Sequence, residues 1–188
     1  PAEGSVSAFV TIMQGCDNYC AFCVVPYLRG REESRGFEDI LAEVNALAAR
    51  GVKEVTLLGQ NVNAYGKSFG GKHTFAQLLR AIGAVPGIGR VRFTTSHPKD
   101  LSDDIIACFR EVKNLCESIH LPVQSGSDEV LARMNRRYTS ADYLGRVRRL
   151  REASPEIAIT SDIIVGFPGE AEQDYQKTLD LMEKVRFD

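Results

Sequence analysis

No apolar run in this sequence approaches the ~20 residues that a membrane span needs, and residues 1–7 lack the basic-then-apolar plan of a secretory signal. The expectation is a soluble, cytoplasmic chain with no membrane partner. Neither charge is in large excess, since 23 Lys and Arg face 25 Asp and Glu for a net charge of -2. That balance excludes nucleic-acid binding through bulk basicity alone, though not through a local basic face. No repeat, low-complexity tract or Pro-, Gly- or Ser-rich linker interrupts the 188 residues. One globular unit is therefore expected, large enough to bury about two thirds of its unfolded surface without disulfides. Its five cysteines are free for other work, and three of them crowd into eight residues as Cys16, Cys20 and Cys23. A disulfide framework would spread them, so a reducing compartment fits better.

What is present alternates between two periodicities. Short β-rich runs at residues 8–13, 54–58, 90–95, 118–123 and 158–165 are separated by helical patterns. The first helix, 37–50, carries Ile40, Leu41, Val44, Leu47 and Ala48 at helical spacing and stops at Gly51. Further helices are expected at 74–82, after the N-cap Ser102, in two pieces at 128–134 and 140–152, and at 170–185. Strands separated by helices imply a parallel sheet with right-handed crossovers and a functional site beyond the strands' C-terminal ends. An open doubly wound sheet and a barrel both satisfy this pattern. Phe187 and Asp188 read as the start of a sixth strand, so the chain is expected to be a fragment.

Three thiolates spaced by three and then two residues, in a loop directly after a strand, indicate metal chemistry. Zinc sites take four ligands and iron-sulfur clusters usually four cysteines, but only three are local here. Cys108 and Cys116 read as core residues. Three ligands on a four-iron cluster leave one iron open to a substrate or cofactor.

The Cys16-x3-Cys20-x2-Cys23 spacing with Phe22 before the last cysteine resembles the signature of the radical S-adenosylmethionine (SAM) superfamily. The stretches Gln14–Cys20, Val25–Glu32, Leu58–Asn63, Ser96–Pro98, His120–Ser127, Met134–Tyr138 and Asp162–Glu170 resemble, across nearly the whole chain, the tRNA methylthiotransferases of the MiaB type. The resemblance implies an α/β fold, a partial (β/α)6 radical SAM barrel truncated near the start of the sixth strand. It implies a 4Fe-4S cluster on the three cysteines, SAM chelated by the open iron, and reductive cleavage of SAM to a 5′-deoxyadenosyl radical. The product would be a methylthio group on C2 of an isopentenylated adenosine beside the anticodon.

Gly59, Gln60 and Asn61 stand where the superfamily commonly has Gly-Gly-Glu and would receive the methionyl ammonium. Gln124 and Ser125 offer groups for the ribose hydroxyls, and Val165, Gly166 and Pro168 resemble the loop that seats the adenine. Phe22 and Tyr19 would shield the cluster or the adenine. Arg136 is a candidate for the SAM carboxylate. His97 and His120 read as structural. Seven arginines between Arg133 and Arg151, with Arg29, Arg31 and Arg35 near the cluster, form a candidate face for RNA phosphates.

The implied partners are a tRNA anticodon loop carrying isopentenyladenosine and an electron donor such as flavodoxin or ferredoxin, with the chain acting as a monomer. The resemblance also places a second 4Fe-4S cluster on an N-terminal domain, and an RNA-binding TRAM domain at the C-terminus, outside these residues. Rival readings are methylthiolation of threonylcarbamoyladenosine or of a ribosomal-protein aspartate, and, in a different class, a non-catalytic zinc or electron-transfer module that binds RNA.

Overall fold

The computed structural model describes residues 4–70 and 72–188. In chain order the elements are β1 (Ser7–Thr11), β2 (Met13–Gln14), α1 (Val25–Arg29), β3 (Glu33–Ser34), α2 (Phe37–Ala49), β4 (Glu54–Leu58), α3 (Phe75–Gly83), β5 (Arg90–Phe93), α4 (Asp103–Glu111), β6 (Ser118–His120), α5 (Asp128–Arg133), α6 (Ser140–Ala153), β7 (Ala158–Thr160) and α7 (Glu172–Val185). Among the described residues no helix is long and apolar enough to cross a membrane.

Strands β1, β4 and β5 pair in parallel, with Val10 opposite Leu57 and Leu57 opposite Phe93. Strands β6 and β7 pair in parallel through Ile119 and Ile159. A bridge between Val91 and Leu115 joins the two groups; Val91 N–H donates to Asn114 O at 2.8 Å and Cys116 N–H to Val91 O at 3.0 Å. The strand order is therefore sequential. A doubly wound sheet reverses its order at a switch point, whereas sequential parallel strands with successive helices packed side by side make a barrel wall. Helices α2, α3, α4, α6 and α7 contact one another in that succession. Asp188 N–H donates to Ile159 O at 3.1 Å, so the last residue runs beside β7 where a further strand would lie.

Alternation along the strands sorts the two faces. Val10, Val55, Leu57, Val91, Ile119 and Ile159 are fully buried against the helices. The opposite face carries the exposed Phe9 and several polar pairs: Arg90 pairs with Glu54 at 2.5 Å, and His120 contacts Thr160 at 2.9 Å and Asp162 at 3.2 Å. Cys108 lies in the core, and burial pushes its thiol up to about 11. Cys116 does not; it is half-buried, with Arg92 and Glu54 near enough to influence its thiol.

Three expectations change. The run 8–13 ends early because Met13 and Gln14 leave the sheet to pair antiparallel with Ser34 and Glu33. Helix α1, started by Pro26 in its first turn, lies inside what read as loop. Three of the seven arginines in the series tie helices together: Arg149 pairs with Asp103, Arg133 with Asp174, and Arg151 donates to Val185 O and Arg186 O at the end of α7, while Arg148 pairs with Glu152 within α6. Arg136 is buried. The ties narrow the candidate phosphate-binding face to its exposed members, Arg133, Arg137 and Arg148.

The turn after β6 docks on α7. A side chain at Gly126 would bring Cβ to 2.3 Å from Lys177 O and 2.6 Å from Thr178 Cα, and Gly126 N–H donates to Thr178 Oγ1 at 2.9 Å. Gly126→Ala is expected to lower the unfolding free energy by about 1–3 kcal/mol, the usual range for overpacking, measured by urea denaturation. The same joint contains Asp174, whose carboxyl is held down to about 2 by the Ser127 hydroxyl, then by Ala171 N–H and Lys177. A native value below the unfolded ~3.9 means that this stabilisation is present above pH ~4 and lost as pH falls towards 2. Asp174→Asn is expected to flatten the acid limb of the stability profile; an unchanged slope between pH 4 and 2 would contradict the assignment.

Candidate functional site

The hairpin of β2 and β3 closes the base of a loop, residues 15–32, that carries the three cysteines. Gly15 at its neck has φ 72°, and a Cβ there would lie 1.9 Å from Arg31 O, so only glycine permits the two strands of the neck to approach. Cys16 N–H donates to Gly30 O and Cys23 N–H to Cys20 O. Cys16 and Cys20 are buried and Cys23 is half-buried.

The loop is tied to the rim formed by the strands' C-terminal ends. Gln60, after β4, accepts from Gly15 N–H through Oε1 at 2.7 Å. Lys99, after β5, reaches Asn18 Oδ1 at 2.5 Å. Met134 O accepts from Ala21 N–H at 3.0 Å, and Asn135 Nδ2 donates to Tyr19 O at 2.8 Å and Asn18 O at 3.2 Å. Beneath the loop, Arg136 Nη1 lies 3.4 Å and His97 Nε2 3.8 Å from Cys20 Sγ.

Burial pushes the Cys16 thiol up, opposed by a backbone hydrogen bond at Asn18. Burial, then the Arg136 charge, holds His97 down to about 3. Burial lifts Glu32 to about 7 against the pull of Lys67. Burial also opposes ionisation of Asp100, but hydrogen bonds from Lys67 at 2.5 Å and Asn61 at 2.7 Å outweigh it, and the carboxyl stays below its usual range.

Two further features mark the rim. Tyr19, Thr95, Gln124, Asn135 and Arg137 are non-glycine residues with φ between 50° and 72°, a conformation that costs of order 1–3 kcal/mol each and gathers at functional sites. Asn61 Oδ1, Ser96 Oγ, Gln124 Oε1 and Glu170 Oε1, one from the loop after each of β4, β5, β6 and β7, are buried without a partner among the described residues. Such groups call for a ligand or ordered water. Three thiols on one loop beside four unspent polar atoms fit a thiolate-held cluster with a polar cofactor across the strand ends. Among the described residues no three His, Cys, Asp or Glu side chains are gathered closely enough to share one metal ion.

The other residues singled out by sequence divide. Gly59 packs against Met13, where a Cβ would sit 2.5 Å from the Met13 side chain. Gln60 serves the cysteine loop and Asn61 turns to Asp100, so neither amide is wholly free. Gln124 stands at the rim with an unspent carbonyl. Ser125 does not: it is fully buried, its hydroxyl spent on Thr178 and Ser127 N–H, because this turn packs on α7. Arg136 faces Cys20 and Pro122 O instead of the open rim. Val165, Gly166 and Pro168 form an exposed loop; Gly166 has φ 78° and its N–H bonds the Glu170 carboxylate. Phe22 is half-exposed on the cysteine loop. His97, Asn18, Lys99, Asp100 and Asn135 were not expected at the site; for the first four, polar character just after a strand end or within the cysteine loop was the available signal, whereas Asn135 follows a helix and carried none.

Gln60→Ala removes the acceptor of the buried Gly15 N–H. An unpaired buried donor costs about 1–3 kcal/mol, so urea denaturation is expected to show a loss in that range, with faster proteolysis of residues 15–32. A fully stable variant with an equally protected loop would remove Gln60 from the clamp.

A family profile described as the Radical SAM superfamily matches residues 10–182. The chain is 60% identical over 188 residues to a protein of Syntrophus aciditrophicus named tRNA-2-methylthio-N(6)-dimethylallyladenosine synthase, covering 100% of this chain and 41% of that relative. It is 62% identical over 185 residues to the Geobacter sulfurreducens protein of the same name, covering 98% of the chain and 42% of the relative. The chain thus spans about two fifths of the length of these relatives. Among solved structures, the radical SAM methyltransferase TsrM from Kitasatospora setae superposes with a TM-score of 0.76 at 20% identity, over 95% of this chain and 34% of that one. Methylornithine synthase superposes with a TM-score of 0.62 at 15% identity, over 97% and 51%. Matched over nearly its whole length and folded as the same partial barrel, the chain belongs to the radical SAM superfamily.

Proposed function

We propose that these residues are the catalytic core of a radical SAM methylthiotransferase that modifies C2 of N6-isopentenyladenosine at position 37 of tRNA. The observation that carries the reading is one clamped loop presenting Cys16, Cys20 and Cys23 beside four unspent buried polar atoms; identities of about 60% to enzymes of that name supply the substrate.

Cys16, Cys20 and Cys23 would hold the 4Fe-4S cluster as thiolates. When bound and reduced, that group supplies the electron that cleaves SAM. Asn61 and Gln124 offer unspent carbonyls to the ammonium and hydroxyl groups of SAM. The exposed Val165–Pro168 loop covers the adenine, and Ser125 and Arg136 act behind the site instead of on SAM. Burial of Cys16 and Cys20 keeps bulk water from their sulfurs.

For the RNA, the exposed ring of Tyr27 packs edge-on to Tyr19 with centroids 6.1 Å apart, and Arg29 and Arg31 lie exposed beside them. Aromatic faces with neighbouring cations suit an unstacked anticodon-loop base and its phosphates. The reading includes a flavodoxin or ferredoxin as electron donor, a monomeric cytoplasmic enzyme, and a second 4Fe-4S cluster and a TRAM domain outside these residues. The share of this chain in the reaction is then SAM cleavage.

Anaerobic reconstitution with iron and sulfide is expected to give a brown, redox-active protein that releases 5′-deoxyadenosine from SAM under reductant without completing methylthiolation. Cys20→Ala is expected to abolish both cluster and cleavage. A colourless, zinc-loaded protein would overturn the reading. For the substrate, nucleoside mass spectrometry of RNA from cells with and without the full-length protein is expected to show loss of the methylthio adenosine.

A further inference from the structure

Two side chains from different elements converge on the sulfur of Cys20. Arg136, in the turn between α5 and α6, points Nη1 at Cys20 Sγ from 3.4 Å. Its other nitrogens are pinned, Nη2 to Pro122 O at 2.7 Å and Nε to Tyr138 Oη at 2.9 Å, with the guanidinium carbon 5.3 Å from the centre of the Tyr138 ring. His97, after β5, sets Nε2 3.8 Å from the same sulfur. Asn63 fixes its backbone on both sides, accepting from His97 N–H at 3.0 Å and donating to His97 O at 2.9 Å. The ring rests edge-on against Tyr138 at 5.7 Å.

The tautomer follows from the geometry. Lys99 backbone N–H donates to His97 Nδ1 at 3.2 Å. An accepting Nδ1 carries a lone pair, so the ring proton is on Nε2, the atom that faces Cys20. Both contacts are therefore N–H donors aimed at one sulfur, from residues only 5% and 7% exposed. In such a poorly solvated place hydrogen bonds act strongly.

We propose that His97 and Arg136 are positioning residues that tune the cluster electronically through two N–H···S bonds to Cys20. The inference rests on the reading of Cys20 as a cluster ligand. Donors to a ligand sulfur withdraw electron density from it and stabilise the reduced cluster, whose added electron makes it more negative; Arg136 adds its positive charge to the same effect. The pair makes the cluster easier to reduce, and it does so without touching SAM or substrate.

The test is an anaerobic potentiometric titration followed by electron paramagnetic resonance on the reconstituted chain, with iron content measured in parallel. His97→Leu is expected to shift the midpoint to more negative potential at unchanged iron content. His97→Gln, whose amide Nε2 carries a donor to nearly the same place, is expected to restore most of the shift. Arg136→Met is expected to shift it further than His97→Leu because a charge is lost with the bond. Variants that load iron fully and titrate with the wild-type protein overturn the inference alone. A wild-type chain that takes up no iron removes the ligand reading and the inference with it. Should the variants load poorly, nitrogen-15 NMR of the cluster-free chain decides: the His97 proton on Nε2 is expected, and a proton on Nδ1 overturns the proposal.

Discussion

The site depends on how the backbone of residues 15–32 is satisfied. A loop pressed against a barrel rim carries N–H and C=O groups that water no longer reaches, and each must find a partner or cost free energy. Gly15 N–H finds Gln60, Ala21 N–H finds Met134 O, and the carbonyls of Asn18 and Tyr19 share the Asn135 amide. These partners come from two separate places in the chain, so the position of the cysteines depends on both the β4 loop and the turn between α5 and α6. The thiol arrangement is a property of the whole fold that the local sequence alone does not fix.

That dependence explains where the backbone is strained. Asn135 reaches the loop with a left-handed φ, Tyr19, whose carbonyl accepts from it, has the same conformation, and so does Arg137, which donates to Asn135 Oδ1. A core of fully buried aliphatics behind the sheet offsets a cost of order 1–3 kcal/mol at each position. A polar chain continues the tie below: Asn61 and Lys67 hold Asp100, while the neighbouring Lys99 holds Asn18.

The sequence made the large periodic elements legible. Helix α2 shows Ile40, Val44 and Leu47 at helical spacing, and these are the residues it buries. The Ser102 cap forms as read, its hydroxyl accepting from Ile105 N–H at 3.3 Å. Local pattern could not choose between a barrel and a doubly wound sheet; the bridge at Val91 and Leu115, which makes the order sequential, is tertiary. Two-residue strands such as β2 and β3 are too short to show a period. Ser125, in the turn after β6, and Arg136, between α5 and α6, were legible as polar residues, but whether such a residue faces the rim or the interior depends on the element behind it, α7 for one and the Tyr138 turn for the other. His97 was legible only as a satisfied histidine, which it is through Lys99 N–H; the second nitrogen carries the consequence.

The polar face of the sheet follows from the same economy of contacts. The wall is held by its helix-bearing side, where the strands' apolar residues are buried, so the other side need not be filled to keep the strands in place. Glu54 with Arg90 and Arg92, and His120 with Asp162, occupy it as partly exposed pairs. Exposed pairs of this kind contribute little to stability, so the wall does not depend on them. Apolar contacts on the helix-bearing side thus fix the strands, and through them the rim to which the cysteine loop is tied.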